Sequence, residues 1–387
     1  LVMPSASPPG AQCANAGNLT ETWNPTRAAA MRATFLASKR PYAADTSDRV
    51  AARLDSYTRD WTAARVEACR ATHARGEQSE ALLDLRMACL DRLRLEVGSL
   101  VDVFAKEPNP KVVDEAVQAT TRLSPLAACA DVAALQAVVP PPPPPMARAE
   151  VTRLGAKLAE VQALQKTGQY RAGLVLAKSL AGDAERAGHP PTLAALLAAR
   201  ASLEAKTGDA AASEATIQLA MSAAADARDD RLAAELWAEL VYVVGNLRTH
   251  PDEALRMRPA AELALRRAHG PPESSSRLLA NLGTALIRAG KPAEAKPLIE
   301  RALDLREHAS KADPIGVASA LSVLAGLLHE GGKFGEAMAY QERALATYQQ
   351  ELGPEHPLVG LALNNLGLMA RALGRYAEAR SHLERAL

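Results

Sequence analysis

The chain has 387 residues, 48% of them hydrophobic but only 3% aromatic, and its 45 basic and 44 acidic side chains leave a formal charge of +1. No basic stripe interleaved with aromatics is present, which argues against a nucleic-acid surface as the working face. With so few aromatics the core must rest on Ala and Leu, strong helix formers that let helices approach closely, so an all-α protein is expected.

Residues 1–12, LVMPSASPPGAQ, read as a flexible leader, too short and too proline-rich for a complete signal peptide. Residues 13–139 form a first, cysteine-containing module. Apolar positions recur at helical spacing through RAAAMRATFLASK, DRVAARLDSYTRDWTAARVEACRAT, SEALLDLRMACLDRLRLEVGSLVDVF and KVVDEAVQATTRL, which predicts four main helices. Between the second and third, Gly76 breaks the pattern and Ser79 is placed to cap the next helix, so an antiparallel hairpin is expected. Arg75, Glu77, Gln78, Glu80 and Arg86 gather at this turn, as a docking surface or simply as a capped helix start.

All four cysteines, Cys13, Cys69, Cys89 and Cys129, fall in this module. Their spacings of 56, 20 and 40 fit no zinc knuckle and no Cys-x-x-Cys, leaving two disulfides or four buried thiols. A hairpin turning near Gly76 sets Cys69 opposite Asp84 or Leu85, about one helical turn short of Cys89. The favoured pairs are therefore Cys13 with Cys69 and Cys89 with Cys129, and oxidised pairs imply an oxidising compartment.

Six consecutive prolines, Pro140 to Pro145, cannot continue a helix and predict a polyproline II spacer, with a linker over 140–147. Beyond it, residues 148–387 repeat. Gly290, Gly332 and Gly374 are 42 apart, as are Ala295, Ala337 and Ala379 and the ERAL tetrads that begin at Glu300, Glu342 and Glu384. Weaker echoes, KTGQYRAG at 166, KTGDAAAS at 206 and PDEALRM at 251, extend the count to about six helix pairs, at 150–190, 191–228, 229–268, 269–309, 310–351 and 352–387. In the third, VVGNLRTHPDEA reads as a stretched loop. Hairpins that cannot bury their apolar faces alone must stack on their neighbours.

The small residues Gly283, Ala325 and Gly367 early in each first helix, the turn G-x-[YFP]-x-E-A and the following ERAL make this array resemble tetratricopeptide repeats. LGPEHP at 352–357 and LNNLG at 363–367 are similar to the longer repeats of kinesin light chains and many bacterial signalling proteins. The resemblance implies a right-handed superhelix whose first helices line a concave, peptide-binding wall. Transferred by register, that wall comprises Arg277, Asn281, Arg288, Ser322, His329, Asn364, Asn365 and Arg371. Asn281 and Asn365 are suited to gripping a peptide N–H and C=O, and Arg277 to a carboxylate.

The first module, through TWNPTRAAAMRATFLASKRPYA and ARVEACRATHARGEQSEALLDLRMACL, resembles the region after the membrane helix in some bacterial eukaryotic-type serine/threonine kinases. The implied role is a non-catalytic, extracytoplasmic sensor whose membrane segment and kinase domain lie outside this chain. The alternative is a soluble, cytoplasmic adaptor with reduced cysteines.

No apolar run approaches the roughly 18 residues of a membrane span. The scattered histidines supply no ligand-spaced pair, GGKFG at 331–335 lacks the strand and Gly-Lys-Ser/Thr of a phosphate loop, and no nucleophile or acid–base couple stands out. The expectation is no cofactor, no metal and no catalysis, with a protein or peptide as partner. The final phrase, ALGRYAEARSHLERAL, ends mid-repeat, so Leu383 and Leu387 are expected on an open edge where further repeats or a second copy would pack.

Overall fold

The computed structural model describes residues 13, 17–137, 145–308 and 313–386. The expected leader, Pro140 to Pro144 of the proline tract, and Leu387 lie outside the described residues. Every regular element among those described is helical, so the protein is all-α. The chain divides into two compact units, Leu1–Pro142 with Gly155–Thr167 and Pro143–Leu154 with Gly168–Leu387.

The first unit holds α1 (Pro25–Ala37), α2 (Ala43–His73), α3 (Glu80–Lys106), α4 (Pro110–Thr121), a 3-10 turn at Leu126–Cys129 and α5 (Val132–Ala137). Three helices start on side-chain caps: Asn24 accepts from Arg27 N–H, Ser79 from Leu82 N–H and Asn109 from Lys111 N–H. Such caps satisfy backbone donors that the first turn leaves unpaired. The core is aromatic despite the composition. Phe35 and Phe104 meet edge to face with centroids 5.5 Å apart, and Trp61, 1% exposed, donates from Nε1 to Leu90 O at 2.8 Å.

The cysteines are bonded Cys13 to Cys69 and Cys89 to Cys129. The second bridge ties α3 to the 3-10 turn within a cluster of Leu19, Trp61, Leu90 and Leu93. At the α2–α3 turn Gly76 takes φ +65°, and the polar cluster there closes on itself. Gln78 donates to Ala68 O and Thr72 Oγ1, each at 2.8 Å, and accepts from Arg86 at 2.8 Å, while Arg75 pairs with Glu67 and Glu77. These side chains lock a hairpin.

α6 (Arg148–Lys166) supplies residues to both units. Within the first, Lys166 pairs with Glu96, which is 8% exposed and also accepts from Ser124 N–H at 3.2 and 3.3 Å. A carboxylate this buried is tolerated because both its oxygens are engaged.

In the second unit follow α7 (Tyr170–Arg186), α8 (Pro190–Lys206), α9 (Ala210–Asp226), α10 (Asp230–Tyr242), α11 (Pro251–Arg256), α12 (Arg258–Arg267), α13 (Pro272–Arg288), α14 (Pro292–Glu307), α15 (Pro314–Glu330), α16 (Phe334–Leu352), α17 (Pro357–Ala372) and α18 (Tyr376–Ala386). Hairpins α8/α9, α13/α14, α15/α16 and α17/α18 pack internally, and α14 meets α15 as α16 meets α17. The turn glycines Gly290, Gly332 and Gly374 take φ +75°, +73° and +74°, a region open to Gly at little cost. His356, 6% exposed, caps α17 by accepting from Leu358 N–H at 3.2 Å, a structural role.

Two details fix the helix crossings. Ala295, Ala337 and Ala379 are 0%, 0% and 5% exposed. A Cβ built on Gly283 would lie 2.6 Å from Ile299 Cγ1, and one on Gly367 would lie 2.7 Å from Leu383 Cγ. The paired helices touch where one of them has no side chain. In the third repeat the stretched loop expected at VVGNLRTHPDEA is instead largely helical. Val243–Leu247 continue α10 as a π-helical turn, with Val243, Val244, Gly245 and Asn246 buried. The wider turn accommodates inserted sequence without leaving the helix axis. A Cβ on Gly245 would lie 2.9 Å from Ala254 Cβ, so this approach too needs glycine.

Gly283→Ala is expected to destabilise the protein by about 1–3 kcal/mol through overpacking, and Ile299→Ala in the same chain to relieve part of that loss. Urea unfolding of the two single variants and the double variant measures the coupling.

Candidate functional site

The residues transferred by register lie on α13, α15 and α17, and the structure gives them different surroundings. Arg277, Arg288, Asn364 and Arg371 are exposed. His329, at the end of α15, sets its ring edge-on to Phe334 with centroids 5.1 Å apart. Asn281 is half-buried, and its Nδ2 donates to Ala238 O of α10 at 2.8 Å. That amide ties one repeat to the preceding one, with one of its two N–H groups engaged within the protein.

Ser322 and Asn365 are brought together. They line a cleft of about 250 Å³ with Ser319 and Val323 of α15, Gln341 and Tyr348 of α16, and Leu358, Leu361 and Ala362 of α17. Val323 and Leu361 remain 45% and 55% exposed, so the cleft carries accessible apolar surface beside its polar side chains. Burial holds the Tyr348 hydroxyl above the usual tyrosine range, and hydrogen bonding to Ser322 and Ser319 opposes this in part. The phenol is therefore neutral at physiological pH. No Lys, Arg, His, Asp or Glu is among the described residues lining the cleft.

The α16 contribution was not anticipated, since the resemblance points to first helices only. Its signal was in the register: Gln341 stands 42 residues after Ile299 and 42 before Leu383, a polar residue in an aliphatic column. A second, more open cavity of about 450 Å³ between α12 and α13 is lined by Glu262, Leu265, Arg266, His269, Gly270 and Ser275 and gathers none of the expected residues. Among the described residues, no three or more His, Cys, Asp or Glu side chains are grouped to hold a metal, and no helix is long and apolar enough to cross a membrane.

Residues 277–315 and 316–387 each match a tetratricopeptide repeat family model. Residues 277–387 are tetratricopeptide repeats. A search of curated proteins finds no match to the chain. Among solved structures, the chain is similar to BtubC (BKLC) from P. vanneervenii at 20% identity, over 60% of this chain and 89% of that one, with a TM-score of 0.47. It is also similar to a Podosopora anserina protein of the kinesin light chain kind with nearly identical TPR-like repeats, at 18% identity over 51% of this chain and 94% of that one, TM-score 0.43. A third likeness is to pilF of Pseudomonas aeruginosa, at 18% identity over 60% and 90% of the two chains, TM-score 0.41. At that distance the likeness says nothing about partners.

Separate roles for the two equivalent asparagines lead to a prediction. Asn281→Ala is expected to cost about 0.5–1.5 kcal/mol of stability, the worth of one hydrogen bond, whereas Asn365→Ala leaves the urea midpoint within error. Paired denaturation curves check it.

Proposed function

We propose that the chain is a non-catalytic protein-interaction scaffold whose tetratricopeptide repeats hold a peptide or protein segment along their first helices. The observation that carries this reading is the cleft between α15 and α17. It joins Ser322 and Asn365, an uncharged lining and the partly exposed apolar side chains Val323 and Leu361, the mixture that ligand sites use to combine burial with orientation. Tetratricopeptide arrays expose one extended wall by construction, because each repeat packs only on its neighbours.

A finer reading concerns setting. Two bonded cysteine pairs in the first unit support an oxidising compartment, and the resemblance of that unit to the region after the membrane helix of bacterial serine/threonine kinases supports a sensor role beside a kinase domain outside this chain. A soluble adaptor with reduced cysteines is the rival, supported by the repeats alone. In both, the partner is a protein.

Two measurements decide. Thiol alkylation of the native protein followed by non-reducing mass spectrometry is expected to find no free cysteine, and reduction to destabilise the first unit by about 4 kcal/mol per bridge on the chain-entropy model. Four alkylated thiols would favour the adaptor. Affinity capture from a cell extract with the full chain, repeated with Asn365→Ala and Arg371→Ala together, is expected to recover partners in the first case and markedly fewer in the second. Equal recovery would remove the first-helix wall from the proposal.

A further inference from the structure

Gln341 occupies a place where the repeat asks for an aliphatic side chain. Its register partners, 42 residues to either side, are Ile299 and Leu383, and both lie against the glycine of their paired helix, within 2.6 Å and 2.7 Å of a Cβ built there. In the middle repeat an amide takes this position, 1% exposed. Its Nε2 reaches Ser322 Oγ only at a long 3.4 Å, and its Oε1 has no partner. A buried amide oxygen left unpaired lowers stability by as much as a whole hydrogen bond contributes. Since the register position facing Gln341 is Ala325 and not glycine, the unbranched methionine, and not a branched leucine, would replace it without that penalty.

The surroundings define what would satisfy it. The amide lines the same cleft as Ser319, Ser322, Tyr348 and Asn365, none of which carries a charge at neutral pH. Val323 and Leu361 flank the opening as apolar walls. An occupant must offer a hydrogen bond to Gln341 and an apolar group to the walls. It must also be uncharged, since a charge buried there would meet no counter-ion. A peptide backbone carries both N–H and C=O at each residue, so it answers the glutamine amide in either rotation about its last torsion. A cleft of about 250 Å³ accommodates one side chain with its peptide unit, not the face of a folded domain.

Resting on the scaffold reading, we propose that the α15–α16–α17 cleft seats an uncharged, extended peptide segment. This segment donates a main-chain N–H to Gln341 Oε1 and sets one aliphatic side chain between Val323 and Leu361. Gln341 is then a specificity-determining residue at a position that the neighbouring repeats fill with Ile299 and Leu383.

The test pans a random heptapeptide library displayed on phage against the full chain, resynthesises the enriched peptides with a fluorophore and measures affinity by anisotropy. Enriched peptides are expected to be neutral around one aliphatic anchor. Gln341→Met, which keeps the unbranched shape opposite Ala325, should raise the melting temperature while weakening these peptides about tenfold, the scale of one buried hydrogen bond. Val323→Asp, at an exposed position that tolerates substitution, should weaken them comparably. A lower melting temperature for Gln341→Met would make the amide structural and overturn the proposal. Charged enriched peptides would overturn its chemistry. Peptides bound equally well by both variants and the unaltered chain would overturn the cleft and leave the scaffold reading standing, whereas a library yielding no binder removes both.

Discussion

The contact on which the repeat array depends is the crossing of two helices at a point where one has no side chain or, at Ala325, only a methyl group. At Gly283 and Gly367 the partner helix approaches so closely that a single methyl group would collide with Ile299 or Leu383, and Ala295 and Ala379 are buried opposite. Such an approach gives each hairpin many weak dispersion contacts without large side chains. It explains how a sequence with 3% aromatics packs densely. A single hairpin still leaves its outer face bare. Stacking α14 on α15 and α16 on α17 covers that face, and the same stacking creates the clefts between successive first helices.

The first unit solves the packing problem by other means. Phe35, Phe104, Trp23 and Trp61 all fall there and are buried, and two disulfides close loops of 56 and 40 residues. Long helices with irregular connections lack the repeating crossing that would define their geometry, so covalent links and bulky side chains take its place. The charged turn around Gln78 and Arg86 belongs to the same design, since its polar atoms bond within the hairpin.

Positions that coincide in register need not coincide in role. Asn281 and Asn365 are equivalent in the repeat, yet Asn281 bonds back to Ala238 across a repeat boundary while Asn365 faces the cleft with Ser322. The difference arises from what precedes each helix. α13 follows the irregular third repeat, where the π-helical turn at Val243–Leu247 continues α10, whereas α17 follows a regular hairpin. Gln341 shows the same divergence in the column of Ile299 and Leu383.

Sequence by itself determined the helical class, the 42-residue period, the turn glycines, the small residues at the crossings and the α2–α3 hairpin, and it favoured the cysteine pairing without deciding between bonded and reduced thiols. Each of these follows from local backbone preference or from spacing along one chain, and both are written residue by residue. The π-helical turn was hidden because an inserted residue reads the same whether it forms a loop or widens a helix. Tertiary structure alone decided that Ser322 and Asn365 line one cleft while Asn281 bonds to Ala238, and that the Gln341 Oε1 is buried without a partner. Those outcomes depend on which atoms of three separate helices converge, and convergence is set by packing angles that no single segment contains.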